Sequence, residues 1–307
     1  MKRLLLLFFA TCFSLPAVSQ AAAQETPPPP PNFVLIVREE IKPGEMPAHE
    51  REGAAFVQTL AKANARIADP KLRSGRIALS PIAGNENEVM YLWPYDSFDD
   101  MEKSQAEIDK MAGDPKLLKA DFDQLPDARL HVSQRDMIAS YRPDLSYKVG
   151  RLDVAQARYM TMQTVRIKPG HEDEYWEMMK EKMFPARDKA GIKASYAVFQ
   201  VIGGAPGTTF FVFRPFRSLA ELDERAPVLT RNAMSEETRK EVDKVVDRAV
   251  IFQDVTFYRI NPRLSHVAPE FAARDAASAT PFWNPKPEAP APAAGRRAVA
   301  RSNGRRP

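Results

Sequence analysis

Residues 33–50 (FVLIVREEIKPGEMPAHE) and 159–176 (YMTMQTVRIKPGHEDEYW) share one pattern, and this repetition limits the fold more than any other feature of the chain. Each is an apolar run followed by Ile-Lys-Pro-Gly and then by the acid-rich start of a helix, where negative charge is favoured. The two tetrapeptides begin at Ile41 and Ile167, 126 residues apart, which is the length of a domain.

The order of elements predicted around each copy is the same. In the first, a strand at 33–38 ends at Lys42-Pro43-Gly44, and the helix that follows carries Phe56, Leu60, Ala63 and Ile67 on one face. Strand-like runs at 76–82 and 89–93 flank a Gly/Asn cluster, Ser97 starts a second helix, and 130–141 reads as a last strand. In the second, a strand at 159–167 leads to a helix at 172–189, with Tyr175, Met179 and Met183 on one face. Strands at 195–202 and 209–213 flank residues 203–207, Ser218 and Glu221 form a capping box, and a helix with Val242, Val245, Val246 and Ala249 precedes a strand at 250–260. Each copy thus reads βαββαβ, with two helices on one face of four antiparallel strands. The other sheet face stays uncovered unless two such units pack against each other. The predicted fold class is α+β: two tandem ferredoxin-like units, 32–145 and 157–262, packed sheet to sheet as an intrachain barrel, with a linker at 146–156.

These residues also carry a family resemblance. The Ile-Lys-Pro-Gly turn into an acidic helix, the starts Pro94-Tyr95-Asp96-Ser97 and Pro215-Phe216-Arg217-Ser218, and the repeated βαββαβ order resemble the dimeric α/β barrel superfamily, particularly its NIPSNAP-like and antibiotic-biosynthesis-monooxygenase-like members. The resemblance covers about residues 32–262. It implies a barrel closed within one chain. It carries no catalytic group, because the superfamily spans cofactor-independent monooxygenases, haem-handling proteins, muconolactone-isomerase-like enzymes and members without assigned activity.

The ends set the expected compartment. Lys2 and Arg3, an apolar run over residues 4–13 and Ala21-Ala22-Ala23 read as a signal peptide, residues 1–23, removed to leave a chain that begins near Gln24 and is periplasmic or secreted. Cys12 is the only cysteine and leaves with it, so the remaining chain has no disulfide and no thiolate. Residues 24–31 read as a polyproline spacer. Residues 263–307 read as a disordered basic tail rich in Pro, Ala and Arg, and the body left between is slightly acidic, which argues against nucleic acid as a partner. The tail could make weak contact with an anionic envelope surface, and the protein is expected as a monomer or homodimer. Residues from about 270 onward are expected to be dispensable for folding.

Four histidines remain: His49, His131, His171 and His266. No pair has the helix spacing of H-E-x-x-H, so neither a metal nor any other cofactor is expected. His49 and His171 read as solvated helix residues. His131 shares its strand parity with Ser133 and Arg135, is expected to face the barrel interior, and is the candidate base. Tyr159, Thr161 and Gln163 are expected to face the same interior, Arg38 less firmly, with Met160 and Met162 turned to the helices. Tyr91, Trp93, Tyr159, Gln163 and Tyr196 are the candidate residues for placing an apolar or aromatic small molecule. Two functions fit: a small-molecule-binding or structural envelope module, or a cofactor-independent monooxygenase- or isomerase-like enzyme with His131 as base.

Overall fold

The chain is described by a computed structural model over residues 27–123, 128–151, 153–275 and 281–285. Residues 1–23 and the end of the basic tail lie outside this range. Runs rich in β-branched, aromatic and methionine residues form strands β1 (Phe33–Ile41), β2 (Ile77–Ala83), β3 (Glu88–Tyr95), β4 (His131–Tyr141), β5 (Tyr159–Ile167), β6 (Ala197–Gly203), β7 (Thr209–Phe216) and β8 (Val250–Ile260). The helices are α1 (Met46–Asn64), α2 (Phe98–Gly113), α3 (Lys119–Asp123), α4 (Glu172–Met178), α5 (Phe184–Lys189), α6 (Ala226–Ala233), α7 (Glu236–Ala249) and α8 (Pro269–Ala273).

The strands close into one antiparallel barrel in the order β1-β3-β2-β8-β5-β7-β6-β4. β4-β1-β3-β2 come from the first half of the chain and β8-β5-β7-β6 from the second, and the seams between them are β2 with β8 and β4 with β6. Two local features recur in both halves. Gly44 and Gly170 both sit at φ +85°, the left-handed turn that glycine allows after Lys-Pro. Glu40 pairs with Ser133 while Ile41 pairs with His131, and in the other half Arg166 pairs with Phe252 while Ile167 pairs with Val250, so the same β-bulge recurs at the same place.

A single apolar core fills the barrel, with Ile36, Leu79, Met90, Met137, Met162, Phe199, Phe213 and Ile260 contributed by the eight strands. Each such side chain stabilises the closed barrel by about 1.5–3 kcal/mol. The expected assignment of strand faces is therefore reversed. Met160 and Met162 point into the barrel, while Thr161 and Gln163 line the helix side and Tyr159 stacks on Phe216, with ring centroids 6.0 Å apart. Parity separates the two sets correctly, but a closed barrel dries its inner face and leaves the polar set to the layer under the helices. Arg38 does lie on the inner parity, held by three hydrogen bonds to Glu88 of which the shortest is 2.7 Å. One end of the barrel keeps an apolar space of about 270 Å³ bounded by Val34, Met160, Phe199, Pro28 to Pro31 and Phe271.

Three further expectations change. The helix over 172–189 is α4 and α5 joined by a π-helical turn, Met179–Met183. Ser218 makes its capping box with Glu221, but the turn it opens is the 3-10 helix Leu219–Glu224. The tail does not begin at 263: Leu264, Ser265, Val267 and Trp283 are buried, Trp283 donates from Nε1 to the Ala155 carbonyl at 2.6 Å, and Asp275 pairs with Arg158 at 2.8 Å.

Candidate active site

The site lies between the outer face of the first-half sheet and helix α1. Leu35, Val37 and Glu39 of β1 face that helix, which begins directly after the Lys42-Pro43-Gly44 turn and so holds His49 one turn in, above Glu39. On the neighbouring strand the bulge inserts Val132, which is exposed, and the shifted register turns His131 to the helix side instead of the interior. Both imidazoles converge on one carboxylate oxygen: His49 Nε2 and His131 Nε2 are each 3.5 Å from Glu39 Oε2. The two rings are 5.5 Å apart, edge to face.

Two more groups complete the cluster. Tyr91, opposite Val37 on β3, has its hydroxyl 3.0 Å from His49 Nε2. Arg76, just before β2, is buried with its guanidinium 4.2 Å from the centre of the Tyr91 ring and 4.4 Å from that of Phe56, and its Nε donates to the Leu264 carbonyl at 3.0 Å. Its backbone bridges to His266, so the chain just past residue 262 closes this side of the site.

Burial governs the electrostatics. It pushes the Glu39 carboxyl up, with His131 and Arg76 opposing, and pushes His49 down to about 4, with His131 and Arg76 adding to the effect. Burial also raises the Tyr91 phenol, and lowers His266 with Arg76 contributing. Among the described residues that line this site, His131 Nδ1 and Glu52 Oε2 are buried without a hydrogen-bond partner. The cluster opens on a pocket of about 480 Å³ whose other walls are Phe56, Leu60, Trp93, Tyr95, Gln105 and Ile108. An apolar or aromatic body fits there, with proton-exchanging groups at one end.

Of the residues singled out from sequence, His131, Tyr91 and Trp93 thus line one pocket. Gln163 and Tyr196 line another of about 630 Å³ under α4 and α7, and Tyr159 lines neither. In that second pocket Trp176 Nε1, Arg187 Nε and the Tyr196 hydroxyl are buried without hydrogen-bond partners among the described residues. Sequence reading missed Glu39, Arg76 and His266, and placed His49 in solvent although it is 5% exposed. His171 is half-buried and meets Glu174 at 3.0 Å.

A signal for the missed residues lay in the repeat itself. The Ile-Lys-Pro-Gly alignment sets Val165 against Glu39 and Tyr175 against His49, and the matched registers set Val250 against His131, Val212 against Tyr91 and Tyr196 against Arg76. The positions that hold acid, base and cation in one half hold mainly apolar or neutral side chains in the other. The donor atoms of Glu39, His49 and His131 all lie within 4.8 Å of one another, a set able to hold a metal ion. The expectation of no metal site rests on spacing along one helix, whereas these donors come from three separate elements.

No family model matches the sequence, and no curated protein matches it. Among solved structures it is similar to an anthrone oxidase-like protein (11% identity, TM-score 0.43, 75% of this chain and 91% of that one). It is also similar to chlorite dismutase from Candidatus Nitrospira defluvii in complex with imidazole (9%, 0.44, 75% and 91%) and to a heme-binding protein from Thermus thermophilus (11%, 0.41, 77% and 96%). With so few shared residues and TM-scores below 0.5, the activities of those proteins remain theirs alone.

Proposed function

We propose that this chain is an enzyme that binds an apolar or aromatic small molecule in the first-half pocket and exchanges a proton with it at the Glu39–His49–His131 cluster. The observation that carries this reading is the convergence of two imidazoles on one half-buried carboxylate beside an open pocket, at positions where the other half of the same barrel has Val165, Tyr175 and Val250. A barrel of this kind closes without those groups, so their presence in one half calls for a use beyond packing. His131, the base expected from sequence, keeps a place in the cluster but shares it with Glu39 and His49. Phe56, Trp93 and Ile108 would hold the apolar body of the molecule, and Arg76 would favour negative charge developing on it.

We read the chain as a tandem pair of ferredoxin-like units of the dimeric α/β barrel type, with resemblance to NIPSNAP-like proteins, exported to the periplasm or beyond. The recurring bulge, the matched Gly44 and Gly170 turns and the equal strand order support the tandem reading; residues 1–23 support export.

The test is native mass spectrometry of the full chain purified from its own source, followed by release of any bound molecule and its incubation with fresh protein in deuterium oxide. A small molecule that copurifies and takes up deuterium faster with the protein than without it is expected. A molecule that binds but shows no catalysed exchange would leave a binding module, and protein that carries nothing would count against the pocket as a whole.

A further inference from the structure

We propose that Glu39, His49 and His131 form a mononuclear site for a divalent first-row transition-metal ion, with its free coordination positions open to the first-half pocket. This rests on the reading of that pocket as the functional site, and goes beyond it by naming the ion that the cluster takes.

The donor set comes first. Two imidazoles and one carboxylate suit zinc, iron, manganese or cobalt and do not suit calcium or magnesium, which prefer oxygen ligands throughout. Bonds to such ions are about 2.0–2.2 Å long, so donor atoms bound to the same ion stand about 3.0–3.5 Å apart. The two distances that involve Glu39 are 3.5 Å each, and all three donors lie within 4.8 Å. A closing movement of the imidazoles by less than the width of an atom completes the set.

The positions of the donors are fixed by the fold. Glu39 is paired on both sides, with Val89 of β3 and Gln134 of β4, His49 stands one turn into α1, and His131 is held by the bulge that brings its ring to this face. Among the described residues, the Glu39 carboxylate meets no cation within ion-pair distance except these two imidazoles. The nearby guanidinium of Arg76 is bonded to the Leu264 carbonyl and stacked on aromatic rings. Its charge opposes a bound cation. Glu52, on the same pocket wall, pairs with Arg129 through Oε1 at 3.5 Å and keeps a buried Oε2 without a hydrogen-bond partner.

Three protein donors on one side leave the remaining positions for water or for an oxygen of the bound molecule, which is the open arrangement of a catalytic centre and not the closed one of a structural centre. There the ion would lower the pKa of a bound water or hydroxyl, the chemistry that proton exchange needs. The Tyr91 hydroxyl, 3.0 Å from His49 Nε2, holds that nitrogen while no ion is bound and gives way to it.

The experiment uses the full chain, stripped with a chelator, dialysed, and titrated with Co²⁺ and Zn²⁺ at pH 7.5 by calorimetry and by the visible absorption of the cobalt form. One ion per chain and a cobalt ligand-field band are expected. Glu39→Gln and His131→Ala should each weaken binding at least tenfold while circular dichroism stays native. If either variant fails to fold, X-ray absorption at the cobalt edge of the unsubstituted protein decides the same point, with two imidazoles bound to the ion expected. No binding up to millimolar cobalt would overturn the proposal, as would tight binding that neither substitution alters, since the ion would then sit elsewhere, for example at His171 and Glu174. A protein that retains its small molecule in native mass spectrometry but takes no metal sinks this inference and leaves the pocket reading intact. Metal bound at these residues in a chain that never carries a small molecule supports the ion and counts against the pocket reading.

Discussion

Arg76 is the residue on which the site's packing and its charge both depend. Its guanidinium lies against Phe56 and Tyr91, donates to the Leu264 carbonyl and adds positive charge near the Glu39 carboxyl, so Arg76→Leu leaves that carbonyl without its donor and the half-buried acid without that charge. The expected loss is about 3 kcal/mol in urea unfolding, and a loss below about 0.5 kcal/mol would show that the cation is dispensable. The histidines predict a pH dependence for the metal-free protein. His49, pushed down to about 4, and His266, also lowered, take up protons more readily in the unfolded chain. Stability is therefore full above the ordinary histidine value of 6.5 and falls as pH drops from there toward 4. His49 alone accounts for about 2 kcal/mol by pH 5. Glu39, raised by burial, works in the opposite direction, since the folded chain holds its proton more tightly; Arg76, Tyr91 and His131 face the same space. Urea midpoints at pH 7.5 and 5.0 should thus fall modestly for the unsubstituted protein and more steeply for Glu39→Gln. Equal midpoints at the two pH values in both proteins would contradict the assignment of buried, neutral histidines.

At the level of elements, two short features decide what the sequence did and did not disclose. Strand and helix order was legible because it rests on local signals: the Lys-Pro-Gly turns, the Ser97 and Ser218 caps, and apolar periodicity. The aim of His131 was not, because one inserted residue, Val132, reverses the parity of the strand at that point, and a bulge has no local signature in a strand this polar. The other hidden feature is the segment after residue 262. Its composition reads as disordered, yet single well-placed side chains anchor it: Trp283 packs between Phe271 and Phe282, and Asn284 makes two hydrogen bonds to the Val267 backbone. Ending the chain after Asp275 should therefore lower the melting temperature by about 5 °C or more. An unchanged melting temperature would favour the compositional reading, in which everything past about 270 is dispensable.

For the whole molecule, the repetition at Ile41 and Ile167 was enough to anticipate a closed barrel, since one sheet alone would leave its inner face wet. Apart from the Arg38–Glu88 pair the inner face is largely apolar, so residues 32–145 expressed alone should aggregate or pair; a soluble, folded monomer of that fragment would mean the second half is not needed as cover. What the repetition hid is the asymmetry between its copies, which shows only when register places Glu39, His49 and His131 against Val165, Tyr175 and Val250. That asymmetry also supplies the most direct test. The triple variant Glu39→Val, His49→Tyr and His131→Val gives the first half the residues that the second half already accommodates. Native mass spectrometry of this variant beside the unsubstituted protein, with melting temperature as the control for folding, should find the fold kept and the bound small molecule lost. Retention of that molecule by a folded triple variant would contradict the placement of the functional site in the first-half pocket.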